Sequence, residues 1–353
     1  YWVYFVWSFQ LLYDSAEYIK MKRFIIYFLS TIVLVSFGWL LSSYFQNYIS
    51  GPAIINPVIP KPLEKYTIEN LTTSNFEKGN IQIDEVISEE NDYTSYLFSL
   101  EHKPSLQDRV IKKTTGQLNI PVEKGKYPII VMFRGYVDQE IYETGIGTRK
   151  SAAVYAQNGF ITIAPDFLGY AGSDIQAENI FESRFQTYTT ALSILKSLDS
   201  IPSWDGTNIL LWGHSNGGQV ALVVLEITGD NYPTVLWAPV TKPFPYSILY
   251  YTDESEDKGK YIRRELAKFE NLYDVEQYSI DNYLEKINAP IQFHQGTSDD
   301  AIPTEWTSDF VDILDELEKE VSYYIYSGAN HNMVPAWNTV VERNLVFFNK
   351  YLN

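Results

Sequence analysis

Residues 209–218 have the sequence ILLWGHSNGG, and this stretch decides the fold. An uninterrupted apolar run of this length predicts a strand buried on both faces, and residues 219–227 predict a helix that ends at Gly229. Between the strand and the helix, Gly213 and Gly217 bracket Ser215 in the pattern G-x-S-x-G, in which a serine occupies a sharp turn. Because the two backbones approach closely there, we expect a side chain at either glycine to collide with them.

A serine in this turn lies above the start of the following helix. The dipole and free N–H groups at a helix N-terminus favour negative charge, such as that of a tetrahedral oxyanion. Serine is a weak nucleophile unless a base removes its proton, and that base needs a third group to fix its tautomer. By chance alone the motif occurs in roughly one chain in ten of this kind, so its meaning depends on those other two groups.

The composition excludes several classes of protein. The 353 residues are 45% hydrophobic, which is enough for a substantial core, and 27 basic against 44 acidic residues give a net charge of −17. That charge argues against nucleic acid as the main partner. With four histidines, no cysteine, no phosphate-binding glycine loop and no zinc spacing, we expect no metal, no cofactor and no disulfide.

An apolar segment near the start predicts a membrane-spanning helix. Residues 24–45 carry no charge, and at ~1.5 Å per residue they extend ~33 Å, the thickness of a bilayer core. The run is longer than the apolar part of a signal peptide, which favours an uncleaved signal anchor at 21–46 over a cleaved signal and a secreted protein. Lys20, Lys22 and Arg23 precede it and predict a catalytic domain outside the cytoplasm.

The segments that flank this helix have their own interpretations. Residues 1–20 precede Met21, which resembles a natural protein start, so we expect upstream sequence with no fold of its own; a juxtamembrane segment is the alternative. Residues 47–62 contain four prolines and predict an extended linker.

The rest of the chain predicts one sheet built in two parts. Residues 63–126 alternate apolar and polar residues over 81–87 and 94–100, with turns expected at 90–92 and Gly116, and predict antiparallel edge strands of the main sheet. Residues 127–353 alternate strands with helices, which predicts a mostly parallel sheet covered by helices on both faces. Its strands are expected at 129–133, 161–164, 209–212, 234–238, 291–294 and 321–326.

A long connection separates two of these strands. Residues 240–288 begin with aromatic residues and continue with a charged, helical pattern. A structureless loop of this length would be unusual, so we expect a small helical insertion over the functional site. The alternative is a solvated helical pair with no role in the site.

The candidate bases are the four histidines. His214 adjoins Ser215 within the turn, so its side chain points away from that of the serine. His102 precedes the parallel part of the sheet, and His294 ends a strand, where a structural role is expected. His331 remains, in a loop after the last strand and at the rim where Ser215 should emerge.

The orienting acid is expected between the nucleophile and the base in chain order. Residues 296–303 have the sequence GTSDDAIP and follow a predicted strand. They offer Asp299 and Asp300, of which only one can orient the base. Asp299 is favoured, and Asp300 is the second choice.

These motifs together resemble a known family. GHSNGG at 213–218, GTSDDAIP at 296–303 and His331 are similar to the α/β-hydrolase fold, and most closely to the catalytic domain of the prolyl oligopeptidase family of serine peptidases. APDFLGY at 164–170 and RGY at 134–136 are further matches, and the resemblance covers residues 127–352.

The resemblance implies a role for each matching residue. Ser215 would be the nucleophile, His331 the general base and then acid, and Asp299 the orienting acid. The N–H groups of Asn216 and Tyr136 would form the oxyanion hole. Arg134 stands where family members usually carry histidine, and is a candidate for binding a substrate carboxylate or an internal acid.

Three functions follow as hypotheses. The first is a membrane-tethered serine peptidase that acts outside the cytoplasm. The second is a carboxylesterase or lipase-like hydrolase with the same triad, because aromatic residues at the start of the insertion suit an apolar acyl group: Phe244, Tyr246, Tyr250 and Tyr251. The third is a catalytically silent binding module. The expected partners are a peptide or ester substrate and the membrane, and the oligomeric state is left open.

Overall fold

The computed structural model describes residues 2–49, 59–106 and 109–352. Most of the predicted linker at 47–62 lies outside the described residues. The chain divides into two compact units, residues 1–60 and residues 61–353.

The first unit contains one long helix, α1 (Trp2–Ile49). Within it, an 18-residue window of Glu17–Gln46 has a mean hydropathy of 2.3, and by length and composition this segment could cross a membrane or be a signal sequence. The hydroxyls of Ser30 and Thr31 donate to backbone carbonyls one turn earlier, which satisfies them within the helix. The helix also includes residues 2–20, and the assignment of this segment as upstream sequence stays a prediction. That segment contains neither proline nor glycine to end a helix.

The second unit is built on a sheet of nine strands. In spatial order they are β1-β2-β3-β5-β4-β6-β7-β8-β9. Strand β2 pairs antiparallel with β1 and with β3, and β3 also pairs antiparallel with β5. All neighbouring pairs among β4 to β9 are parallel. The strands are β1 (Gln82–Glu89), β2 (Tyr93–His102), β3 (Lys112–Pro121), β4 (Tyr127–Phe133), β5 (Ile161–Pro165), β6 (Trp204–His214), β7 (Thr234–Trp237), β8 (Ile291–Gly296) and β9 (Val321–Tyr326). All six strands predicted after residue 127 are present.

Helices cover both faces of this sheet. In β4, Ile129 and Val131 join one buried apolar cluster and Ile130 and Met132 join another, because alternate side chains of a strand point to opposite faces. Helices α4, α5 and α8 contribute to the first cluster, and α3 and α9 to the second. The helices are α2 (Ile68–Thr73), α3 (Arg149–Gln157), α4 (Ile180–Ser197), α5 (Asn216–Thr228), α6 (Tyr246–Leu249), α7 (Lys260–Glu270), α8 (Thr304–Glu316) and α9 (Trp337–Lys350).

Gly116 lies in the middle of β3, so the turn predicted there is wrong. A Cβ atom at this position would lie 2.3 Å from the carbonyl oxygen of Ala164 and 2.5 Å from the ring of Phe98. The glycine therefore permits a close approach of β3 to its neighbours rather than a reversal of the chain.

The segment between β7 and β8 is helical and attached to α4. Phe244, Phe269 and Tyr278 pack on two rings of α4. The Phe185–Tyr278 ring centroids are 4.9 Å apart and the Phe181–Phe269 centroids 5.1 Å apart. Phe244 is only 3% exposed, so its proposed contact with an acyl group is wrong: its ring belongs to the core.

Candidate active site

Ser215 occupies a strained turn between β6 and α5. Its φ of 56° and ψ of −123° lie in a region that a residue with a side chain adopts only when its surroundings enforce it. A Cβ atom at Gly217 would lie 1.9 Å from the carbonyl oxygen of Phe133, and one at Gly213 would lie 2.7 Å from that of Gly217. The predicted collision at both glycines is confirmed.

Backbone hydrogen bonds join the turn of Ser215 to β7 and to the residues that follow β7. The N–H of Ser215 donates to the carbonyl oxygen of Trp237 at 3.0 Å. The carbonyl oxygen of Ser215 accepts from the N–H groups of Gly218 and Val240 at 2.9 and 3.0 Å. The serine is therefore fixed by the neighbouring strand as well as by its own helix.

Asp299 lies against His331. The Nδ1 atom of His331 is 2.9 Å from Asp299 Oδ2 and 3.0 Å from Oδ1. Oδ1 also accepts from the N–H groups of Ala301 and Ile302, and Oδ2 from the Gln295 side chain at 3.0 Å. Asp300 is exposed, so the geometry favours Asp299 over Asp300 as the orienting acid.

These contacts determine the charge of Asp299. Burial acts to raise the pKa of this carboxyl, but the hydrogen bonds from His331 and from the N–H of Ile302 outweigh it and hold the pKa below its ordinary value. A carboxylate that stays ionised beside Nδ1 can fix the tautomer in which Nε2 of His331 is free to accept a proton.

The ring of His331 lies beside the turn that holds Ser215. Its centroid is 4.6 Å from that of His214, the residue that precedes the serine. Across the described residues, no hydrogen bond joins Ser215 Oγ to this imidazole. Catalytic hydrogen bonds are often long or poorly aligned before substrate binds.

His214 supports the base, a role that the sequence did not reveal. Its Nε2–H donates to the carbonyl oxygen of His331 at 3.0 Å. Burial lowers the pKa of His214 to about 4, so the ring is neutral at pH 7 and holds the loop of His331 without adding charge.

The turn after β4 lies directly against the serine. A Cβ atom at Gly135 would lie 2.9 Å from Cβ of Ser215, so only glycine fits there. Asn216 is the first residue of α5, where helix geometry leaves N–H groups unused. The side chain of Tyr136 is 74% exposed. The oxyanion role of the Asn216 and Tyr136 N–H groups stays a prediction.

Arg134 is buried and binds backbone atoms. Its guanidinium donates to the carbonyl oxygens of Gly135 and Asp166 at 2.9 and 2.8 Å. It also lies over the rings of Tyr142 and Tyr170, 4.4 and 4.0 Å from their centroids. These contacts stabilise the turn next to the serine. In the described part of the chain, Arg134 forms no ion pair with a carboxylate.

The other two histidines have structural surroundings. His294 is fully buried and contacts Tyr326 and Gln292, and His102 contacts Thr114. Burial lowers the pKa of His294 to about 3 and that of His102 to about 4. Among the residues described, no cluster of three or more His, Cys, Asp or Glu could hold a metal ion.

The serine lies at a strained turn after a central parallel strand, and an acid and a histidine lie at the same edge of the sheet. This arrangement defines an α/β-hydrolase with serine hydrolase chemistry. Comparison with protein families then identifies the family within this class. The prolyl oligopeptidase family matches residues 147–353, and the chain belongs to it.

Similar proteins include both esterases and peptidases. An acetyl esterase of Xylanibacter ruminicola is 25% identical over 214 residues, which is 53% of this chain but only 46% of the esterase. An uncharacterized peptidase of Bacillus subtilis is 25% identical over 236 residues, 66% of this chain and 87% of that protein. Family membership therefore does not choose between an ester and a peptide substrate.

Solved structures show the same fold. An acetyl xylan esterase from Paenibacillus has 16% identity and a TM-score of 0.61, covering 81% of this chain and 92% of that one. The acylaminoacyl peptidase of Pyrococcus horikoshii has 18% identity and a TM-score of 0.52, covering 79% of this chain and 50% of that one.

Proposed function

We propose that this chain is a serine peptidase tethered to a membrane by α1, with Ser215, His331 and Asp299 as its catalytic triad. The contact of His331 Nδ1 with Asp299, at the edge of the sheet that also carries Ser215, is the observation that supports this proposal most directly. The match to the peptidase of Bacillus subtilis over 87% of its length favours a peptide substrate.

The mechanism is acyl transfer in two steps. Ser215 Oγ attacks the substrate carbonyl while Nε2 of His331 takes its proton, and the N–H groups of Asn216 and Tyr136 bind the oxyanion. His331 then returns the proton to the leaving amine, which leaves an acyl-enzyme. A water molecule, deprotonated by His331, hydrolyses that ester and restores the serine. Asp299 keeps the imidazole oriented throughout.

The test begins with the nucleophile. A fluorophosphonate probe should label the full chain, purified in mild detergent, and Ser215→Ala should abolish labelling and lower kcat by about 10⁵- to 10⁶-fold. Ser298→Ala, at an exposed serine, should label normally. Full labelling of the Ser215→Ala protein would contradict the assignment of the nucleophile.

A carboxylesterase is the second candidate, and the acetyl esterase relative favours it. Of the aromatic residues expected to contact an acyl group, Tyr246, Tyr250 and Tyr251 gather around Trp306, with ring centroids 4.6 to 6.4 Å from it. Chromogenic acetyl and butyryl esters should be compared with aminoacyl and dipeptidyl amides. Turnover of esters with no amide cleaved would replace the peptidase by an esterase.

The membrane tether needs its own test. The basic residues before the apolar run support a catalytic unit outside the cytoplasm. We expect the protein to stay in the membrane fraction after alkaline extraction, and a membrane-impermeant probe to label it in intact cells. A soluble mature protein that begins after residue 46 would indicate a cleaved signal instead.

A further inference from the structure

A cavity of about 320 Å³ begins at Asn216 and Tyr136, the residues assigned to the oxyanion hole. Its walls come from the loop after β5, from α4, and from Ile248 and Ile262 of the insertion. Most of the lining is apolar or aromatic. Two arginines, Arg134 and Arg184, also line it, and within the described chain no acidic side chain does.

Arg184 carries a positive charge at the wall of this cavity. Its guanidinium donates to the side-chain oxygens of Asn216, at 3.3 Å, and of Gln219. Both partners are neutral, and the described residues place no Asp or Glu within ion-pair distance of it. The Nε atom is buried without an acceptor. A partly desolvated guanidinium with only neutral partners is unfavourable, and an anion that pairs with it would lower its free energy.

Arg134 also lines the cavity but is not free to bind a ligand. It is 6% exposed, and two of its nitrogens are committed to backbone carbonyls. The nearby Asp166 uses its carboxyl to accept from the hydroxyls of Thr115, Tyr142 and Thr144. Among the described residues, the charged side chains that line this cavity are Arg134 and Arg184, in a chain with a net charge of −17.

We propose that the cavity recognises a carboxylate of the substrate and that Arg184 binds it, an inference that rests on the proposed hydrolase function. A planar guanidinium pairs with a carboxylate through two parallel hydrogen bonds. The 3.3 Å contact to Asn216 is long and easily replaced. Because Asn216 follows the nucleophile, the bound carboxylate belongs to the acyl residue or its immediate neighbour, on an acidic side chain or at a free chain end.

The test compares two esters that differ in one charge. The p-nitrophenyl monoester of glutaric acid carries a carboxylate, and p-nitrophenyl valerate is its neutral counterpart. We expect the full chain to have the higher kcat/KM on the glutarate ester. Arg184→Met should lower that value by about 10- to 100-fold more than it lowers the valerate value, and Arg184→Lys should retain part of the preference. Arg264→Met, at an exposed arginine of α7 that is paired with Glu265, should change neither.

Several outcomes would overturn the proposal. One is a preference of the native protein for valerate. Another is an equal loss on both esters in Arg184→Met, which would make Arg184 a positioning residue for Asn216. If the native protein prefers the glutarate ester and Arg184→Met removes that preference, a second comparison identifies the source of the carboxylate. It sets peptides with an acidic side chain next to the scissile bond against peptides with a free chain end there.

Failure of the catalytic assignment is separable from failure of this proposal. Absence of probe labelling and turnover would overturn the hydrolase chemistry, but calorimetry tests the cavity without turnover. Ser215→Ala protein should bind glutaramate more tightly than valeramide, and adding Arg184→Met should remove that difference. Equal binding of the two amides would overturn carboxylate recognition.

Discussion

The two halves of the candidate site are held in different ways. The turn of Ser215 is fixed by backbone atoms so close that Gly213 and Gly217 have no room for a side chain. Asp299 and His331 lie on two loops held by polar contacts, including those from Gln295 and His214. The first half is therefore sensitive to added volume, and the second to a change in hydrogen-bonding groups or in protonation.

Among variants that keep the nucleophile in place, the largest expected effect lies in the polar half. Asp299→Asn keeps the shape of the side chain but presents an amide to Nδ1, which favours the wrong tautomer of His331. We expect kcat to fall by about 10⁴-fold, measured with a fluorogenic ester. Asp300→Asn is the matched control and should leave kcat unchanged. Comparable losses in both variants would show that the polar half does not depend on the contact that the structure places at Asp299.

The backbone half should respond to a single methyl group. Gly217→Ala would put a carbon atom 1.9 Å from the carbonyl oxygen of Phe133, so the strand or the helix has to move. We expect the free energy of unfolding to fall by about 3 kcal/mol, measured by urea denaturation. At Gly172 the three atoms nearest to a Cβ atom would be side-chain atoms of Thr115, the first at 3.2 Å, and Gly172→Ala should have a much smaller effect. Equal effects would refute the steric account of the turn.

Acid should act through His214, whose ring contacts the loop of His331, because this ring is uncharged in the folded protein and takes up a proton when the chain unfolds. Burial lowers the pKa of His214 to about 4, whereas the unfolded ring titrates near 6.5. As the pH falls through this range, the unfolded chain takes up a proton that the folded chain does not. Stability is thus complete above about pH 6.5 and is lost towards pH 4, by about 1.4 kcal/mol per unit for such a histidine.

The other two buried histidines allow the predicted loss of stability in acid to be checked. His102 and His294 contribute in the same direction, since burial lowers their pKa values as well, and His102 lies away from the site on β2. Urea denaturation at pH 7, 6 and 5 should show the decline, and His102→Gln should reduce its slope by the share of one histidine. A free energy of unfolding that is constant between pH 7 and 5 would contradict the assigned burial of these rings.

The sequence predicted the backbone half in more detail than the polar half. Close backbone contact leaves glycines at fixed positions around Ser215, and buried strands leave apolar runs, so the turn and the parallel strands could be recognised. Chain order directed attention to His331 and to a pair of aspartates. The choice between them depends on the N–H groups of Ala301 and Ile302 and on Gln295, whose orientation only the folded loop determines.

Residues that act through distant partners were not predictable. The partner of His214 is 117 positions away, and that of Arg184 is 32 positions away on another helix, so no local pattern marks either. The turn predicted at Gly116 is wrong for a related reason. A glycine that lets one strand approach its neighbours looks the same in sequence as a glycine in a turn.

The attachment of the insertion to α4 has a consequence for substrate entry. Swinging this segment away would expose Phe244, Phe269 and Tyr278 to water, along with the two rings of α4 that they cover. At roughly 2 kcal/mol for each buried aromatic side chain, that opening would be rare. The insertion, whose Ile248 and Ile262 line the cavity, is therefore held in place on α4. Under the proposed function, we expect short substrates to enter the cavity with this segment in place and folded proteins to be excluded.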